Sequence, residues 1–368
     1  MSRVFSLLAR LNTLLTPYTP DTYSLKSSAE FLQVLQSAPP GGFITSMDVE
    51  SLFTNIPVDK TISMIADRVY QDPSVTPLHI PEHILRSLLE ICTKKAPFPN
   101  HRGHMYLQVD GVAMGSRLGV VFANFYMGTV EQRIFANVCK PPVYVCYIDD
   151  TFLNADSQEE IDNLRAAFHQ HSSLSFTTEY AENNHFPFLD VLVEQQGTAF
   201  STSVYTKPTN LGLCMNGESK CPEHYKNSVI KAYVCRSLSH CSSWQKTHEE
   251  LDRATQVLVN NGHKNRDIQD TVMKGLENWY QQEPRPAPPE DIKLFYRGRF
   301  HKWYKDNEKA LKNIIKEHVT PTDLTKNVQL IIYYASKKTS SLIMKNNPAP
   351  QQEPLKKTNM VYRYKCPS

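Results

Sequence analysis

The sequence predicts an α+β fold that passes into a helical region and then into a small basic C-terminal region. Three observations carry this. Over the first 210 residues, short apolar runs bounded by turn residues alternate with segments of helical period. Three long helical patterns then fill residues 223–280. Finally, a proline-rich stretch, EPRPAPPED at Glu283–Asp291, favours extended backbone and reads as a semi-rigid linker. A length of 368 residues allows two or three domains. With 40% hydrophobic and 21% charged residues the chain can bury a sizeable core, which excludes global disorder.

Taken in order, Met1–Pro20 has apolar character interrupted by Arg10 and no small-residue cleavage site, so it reads as an amphipathic helix and not a secretory leader. No apolar run approaches the ~20 residues that span a bilayer. Phe43–Met47 follows the turn cluster Pro39-Pro40-Gly41-Gly42 and reads as a buried strand ending at Asp48. Asp59–Tyr70 and Pro81–Cys92 each gather apolar residues on one helical face, with Pro81 suited to a first turn. Ser157 and Glu160 form a capping box that opens a helix. Strand-like runs follow at Leu174–Glu179, Phe188–Glu194 and Thr202–Tyr205, the last two joined as a hairpin across Gln195–Gly197. Helical patterns cover Glu223–Leu238, Ser243–Asn260 and Asn265–Tyr280, with Asn261-Gly262 as a C-cap.

Charge is unevenly spread. Ile292–Ser368 holds 16 Lys and Arg against 5 Asp and Glu, a net of +11, while the preceding 291 residues carry −8. In LFYRGRFHKWYK, cations interleave with aromatics, a mixture suited to a phosphate backbone and stacked bases. The eight cysteines are scattered, which favours reduced thiols. Cys214, Cys221, His224, Cys235, His240 and Cys241 are a candidate zinc set, but they lack a close Cys-x-x-Cys pair, so ordinary thiols are the simpler reading.

The chemistry concentrates in three aspartates. In VYVCYIDDTFLN, two β-rich runs meet at Asp149-Asp150, a pair at home in a hairpin turn and disfavoured in a strand interior. Asp48 ends the apolar strand FITSMD. Neighbouring strands would bring three carboxylates together, and their repulsion would be relieved by hard divalent cations with oxygen ligands. A pair of Mg2+ ions so held can activate a hydroxyl and stabilise a pyrophosphate leaving group.

SMDVESLFTNIP, DGVAMGSRLGVVFANFYMG, YIDDTF, FPFLDVLV and TSVYTKPT occur in the order of the palm motifs of reverse transcriptases. Their wording most resembles the Penelope-like retroelements, over nearly the whole chain. The resemblance implies an RNA-directed DNA polymerase with an antiparallel palm sheet, packed helices and a helical thumb. It implies Asp48, Asp149 and Asp150 as catalytic metal ligands, with the Val49 carbonyl as a backbone ligand, for two Mg2+ ions or Mn2+ in their place. It makes Phe53 an aromatic gate against the sugar 2′ position, and Gly111, Gly115 and Ser116 a loop that positions nucleotide and template. Phe188, Leu189 and Asp190 resemble a primer-grip hairpin, continued by Tyr205 and Lys207. The implied partners are an RNA template, a DNA primer or target DNA and deoxynucleoside triphosphates, with no membrane, and the implied compartment is the nucleus.

On this resemblance, residues 1–210 are partial fingers and palm, 211–280 a helix-turn-helix-like thumb, 281–291 the linker and 292–368 a basic connector. The chain departs from the family pattern at four points. Only 47 residues precede Asp48, and no basic fingers motif is visible among them. Arg117 and Val120 stand where the family has prolines. No lysine lies between Val143 and Thr206 to serve as general acid. The end, MVYRYKCPS, leads into no GIY-YIG endonuclease, leaving Cys366 without partners. A truncated element is therefore expected, and the alternative function is an inactive remnant that binds nucleic acid.

Overall fold

The structure is a computed structural model that describes residues 2–20, 23–39, 41–95, 97–99, 104–196, 199–281, 291–301, 303–321 and 326–334. The proline-rich linker and Cys366 lie outside the described residues. The described residues divide into two compact units: those up to 207 with 239–246, and those of 208–238 with those from 247 onward.

The first unit is α+β, as expected. Its elements are helices α1 (Ser2–Leu15) and α2 (Ser28–Ser37), strand β1 (Phe43–Val49), helices α3 (Leu52–Asn55), α4 (Val58–Tyr70) and α5 (Glu82–Cys92), and the short hairpin β2 (Pro97–Pro99) and β3 (Met105–Leu107). Then come α6 (Arg117–Phe135), β4 (Val143–Tyr147), β5 (Asp150–Ala155), α7 (Gln158–His171), β6 (Phe176–Tyr180), β7 (His185–Phe188), β8 (Val191–Gln196) and β9 (Ala199–Val204). The main sheet has the order β4-β5-β1-β6, antiparallel throughout, with β7-β8-β9 as a separate meander.

Strand alternation gives the main sheet two faces. Met47, Val49, Leu153, Tyr144 and Phe176 join residues of α1, α4, α5, α6 and α7 in one core. Ile44, Phe152, Val143 and Val145 point the other way, onto Phe31 and Leu35 of α2 and onto Phe186, Phe188, Val191 and Val193 of the meander. With both faces covered, five of the seven β1 residues are buried, Thr45 and Ser46 among them, and each fully buried large apolar side chain contributes about 1.5–3 kcal/mol. The capping box forms: the Ser157 hydroxyl accepts from the Glu160 N–H, and the Glu160 carboxylate accepts from the Asp156 N–H.

Phe188–Glu194 is not one strand. The chain reverses at Leu189 and Asp190, both left-handed at φ 47° and 64°, and Phe188 pairs with Val191. A two-residue turn with both φ positive normally calls for Asn-Gly, so Leu-Asp hid it. A similar reversal at Asn183-Asn184 is also left-handed, here with residues that tolerate it. Strands β8 and β9 do pair as expected, but the residues between them lie outside the described set.

The second unit holds most of α8 (Glu223–His240) and α9 (Trp244–Asn260) and all of α10 (Asn265–Tyr280), whose core is Ile230, Val234, Leu238, Leu251, Leu258 and Ile268. Gly262 at φ 80° ends α9, with the Gly262 and His263 N–H groups donating to Val259 and Leu258 carbonyls. Strands β10 (Ile292–Gly298) and β11 (Val328–Tyr334) then pair in parallel around α11 (Tyr304–His318). Among the described residues no helix is long and apolar enough to cross a membrane.

Candidate active site

Asp48 lies near the end of β1, and its register partner on β5 is Asp150. On the other side of β1 its partner is Thr177 of β6. Directly opposed residues in antiparallel strands project to the same face, with Cα atoms about 4.5–5.5 Å apart. Asp48 and Asp150, 102 residues apart in sequence, thus share one sheet face at one end.

Asp149 sits in the turn between β4 and β5, where Tyr147 pairs with Asp150 and only Ile148 and Asp149 intervene. Ile148 is left-handed at φ 62°, a position such turns usually give to glycine. A β-branched residue held there costs about 1–3 kcal/mol. This strain marks the turn that carries the aspartate pair.

The carboxylates feel one another. Burial and the charge of Asp149 raise the Asp48 pKa, against a hydrogen bond from the Val49 N–H that lowers it. Burial raises Asp150, and Asp149 and Asp48 add to the shift, while Lys207 opposes it. Glu179 adds repulsion to both. A partly desolvated, all-oxygen, mutually repelling set fits a hard divalent cation. Among the described residues, no three His, Cys, Asp or Glu side chains are gathered closely enough to ligate a metal as they stand. The fit therefore rests on donor chemistry and shared face. The same holds for the zinc candidate of Cys214, Cys221, His224, Cys235, His240 and Cys241: no such group forms among the described residues, and the cysteines are free thiols.

Phe53, on α3, is half-buried, with its ring packed along Gly119 of α6 and its carbonyl accepting from the Val112 N–H. Gly111 is buried at φ 74°, and a Cβ there would meet the Thr54 backbone at 2.5 Å. The close approach that the structure shows here is to the Thr54 backbone of α3. Gly115, exposed at φ 81°, faces open space. Ser116 caps α6, its hydroxyl accepting from the Leu118 N–H. Val49 is a core residue whose N–H faces Asp48. Phe188 is also core, its ring against Phe31 and Phe152, so among the three hairpin residues only Leu189 and Asp190 stand at the turn. The Tyr205 N–H donates to the Asp190 carbonyl, which ties the end of β9 to that turn.

Three contributors were missed in the sequence. Glu179 joins the carboxylate face through the period-2 alternation of β6, but nothing in the sequence fixes which strand it adjoins. Asp110 accepts from the Val58 and Gly111 N–H groups, joining the loop to the start of α4. Glu131, on α6 and 1% exposed, accepts from the Tyr144 hydroxyl at 2.9 Å, beneath the β4–β5 hairpin. Burial raises its pKa to about 7, against the Tyr144 and Cys146 hydrogen bonds.

Residues 5–178 match the family model described as reverse transcriptase (RNA-dependent DNA polymerase), and residues 213–273 match that of the animal helix-turn-helix domain. Among solved structures, the chain is similar to Candida albicans telomerase in complex with a telomeric RNA fragment, at 12% identity and a TM-score of 0.49, covering 74% of this chain and 48% of that one. Apo telomerase from Candida tropicalis gives 12% identity, a TM-score of 0.44 and coverage of 74% and 50%. The RNA-dependent RNA polymerase of a human picorbirnavirus gives 13%, 0.43, 68% and 49%. The chain thus spans about half the length of these structures. The comparison with curated proteins returns no match. Residues 5–178 thus carry the match to the reverse transcriptase model, and within that segment Asp48 and Asp150 share one sheet face of an α+β fold.

Proposed function

We propose that the chain is an RNA-directed DNA polymerase of a Penelope-like retroelement. The reaction is in-line attack of a primer 3′-hydroxyl on the α-phosphate of a deoxynucleoside triphosphate, forming a phosphodiester bond and releasing pyrophosphate. The observation that carries this is the register of Asp48 against Asp150, one residue from Asp149.

Asp48, Asp149 and Asp150, with the Val49 carbonyl, are the residues that would hold two Mg2+ ions. When bound, the ions supply charge neutralisation for the attacking and leaving oxygens. Phe53 stands behind the nucleotide sugar as a gate against ribonucleotides, supported by its packing on Gly119. The Leu189-Asp190 turn holds the primer end, and Lys207, whose charge reaches Asp150, sits where a phosphate would lie. The helix-turn-helix segment follows as the duplex-gripping thumb. An RNA template and deoxynucleoside triphosphates are the substrates, and the nucleus is the compartment.

The test is extension of a DNA primer on an RNA template with Mg2+. Asp149→Ala should abolish extension while leaving the circular dichroism spectrum unchanged and the melting temperature no lower than that of the wild type. Equal extension by wild type and variant would refute the reading, and nucleic-acid binding without extension by the wild type would select the remnant instead.

A further inference from the structure

Among the described residues, the unit formed by β10, α11 and β11 has one sheet face covered and one open. Parallel sheets are ordinarily buried on both faces. Here α11 covers one side: the Tyr334 hydroxyl donates to Glu308 of α11 at 2.8 Å, and the Tyr334 ring meets Tyr304 and Phe300. The unit is anchored to α8 by the Tyr334 N–H, which donates to the Tyr225 hydroxyl.

The register defines the opposite face. Lys293 pairs with Gln329, Phe295 with Ile331 and Arg297 with Tyr333. Alternation places all six on one side, and Phe295 is 67% and Tyr333 43% exposed. Two aromatic rings and two cations therefore share this face, and none of its six strand residues is a carboxylate. Such rings are normally buried, and no core residue claims them.

We propose that this face binds single-stranded nucleic acid, with bases stacked on Phe295 and Tyr333 and phosphates met by Lys293 and Arg297. Aromatic rings interleaved with cations match the two repeating chemistries of a single strand, its π-faces and its phosphates. A duplex keeps its bases stacked internally and offers only phosphates. The proposed site uses none of the carboxylate residues and does not depend on polymerase activity.

The test uses the full chain carrying Asp149→Ala, without nucleotides, so that failure of the polymerase reading leaves it unaffected. Labelled dT20 and rU20, a matched duplex and heparin are titrated by fluorescence anisotropy at several salt concentrations. Phe295→Ala with Tyr333→Ala should raise Kd for the single strands by at least about thirtyfold, leaving heparin and duplex binding unchanged. Lys293→Ala with Arg297→Ala should lower the magnitude of the salt slope by about 1.4. Comparing dT20 with rU20 shows whether the strand is DNA or RNA. Both variants alter exposed positions, and an unchanged melting temperature would show that the fold is kept. An unchanged Kd in the aromatic variant, or an equal loss of heparin binding, overturns the proposal. Crosslinking of a 5-iodouracil strand should mark the peptide of β10 or β11, and crosslinks found only elsewhere would also overturn it.

Discussion

Asp48 and Asp150 stand opposite each other across β1 and β5, with Asp149 one residue further on in a strained turn. Their closeness has a thermodynamic consequence. Burial and mutual repulsion raise both pKa values, so the fold bears a cost to present them ionised.

A carboxyl whose folded pKa lies above its unfolded value binds more protons in the folded state within that window. Stability then falls as pH rises from about 3.8 through the raised value, and stays lower above it. Asp48→Asn should therefore melt above the cation-free wild type at pH 7, with the gap closing toward pH 4. Differential scanning fluorimetry checks this. A variant no more stable than wild type would show that the carboxylates do not strain the fold.

Glu131 gives the same sign in a different window. Its carboxyl is buried against the Tyr144 hydroxyl and the Cys146 thiol, and its pKa rises from 4.5 to about 7. Stability should fall by about 3 kcal/mol as pH rises from 4.5 to 7. Glu131→Gln keeps an acceptor for Tyr144 and removes the titration, so its urea-derived stability should stay flatter across that range. Parallel curves for the two proteins would contradict the assignment.

Gly128 lies in the middle of α6, where alanine ordinarily stabilises by about 0.5–1 kcal/mol. A Cβ here would run into the Pro20 carbonyl, a backbone atom that has no rotamer to escape by. Gly128→Ala should instead destabilise by several kcal/mol in chemical denaturation. A gain in stability would mean that the Pro20 segment does not pack on α6 as described.

Much of this was legible in sequence because the signals were local. The Ser157–Glu160 box, the Asn261-Gly262 cap and the apolar strand ending at Asp48 each fix their own backbone. The Ser27–Glu30 cap of α2 carries the same kind of signal, with the Ser27 hydroxyl accepting from the Glu30 N–H, and it went unread. What stayed hidden depends on distant packing. Leu189-Asp190 has no turn chemistry, and its left-handed backbone is imposed by the pairing of β7 with β8. Nothing in VEQR marks Glu131 as buried, since only the arrival of β4 puts Tyr144 beside it. In β10, the motif LFYRGRF read as composition alone, and the parallel pairing with β11 is what sorts its residues onto two faces. The convergence of Asp48 with Asp150 was conditional on strand order, which alternation alone does not supply.

The central claim is that Asp48 and the Asp149-Asp150 corner act as one cation-holding site. The most direct measurement is a titration of the full chain with Mn2+, followed by electron paramagnetic resonance, for wild type and Asp48→Asn. The account expects saturable binding in the wild type and at least about a tenfold loss of affinity in the variant, equal to about 1.4 kcal/mol. Equal Mn2+ affinity in the two proteins would contradict it.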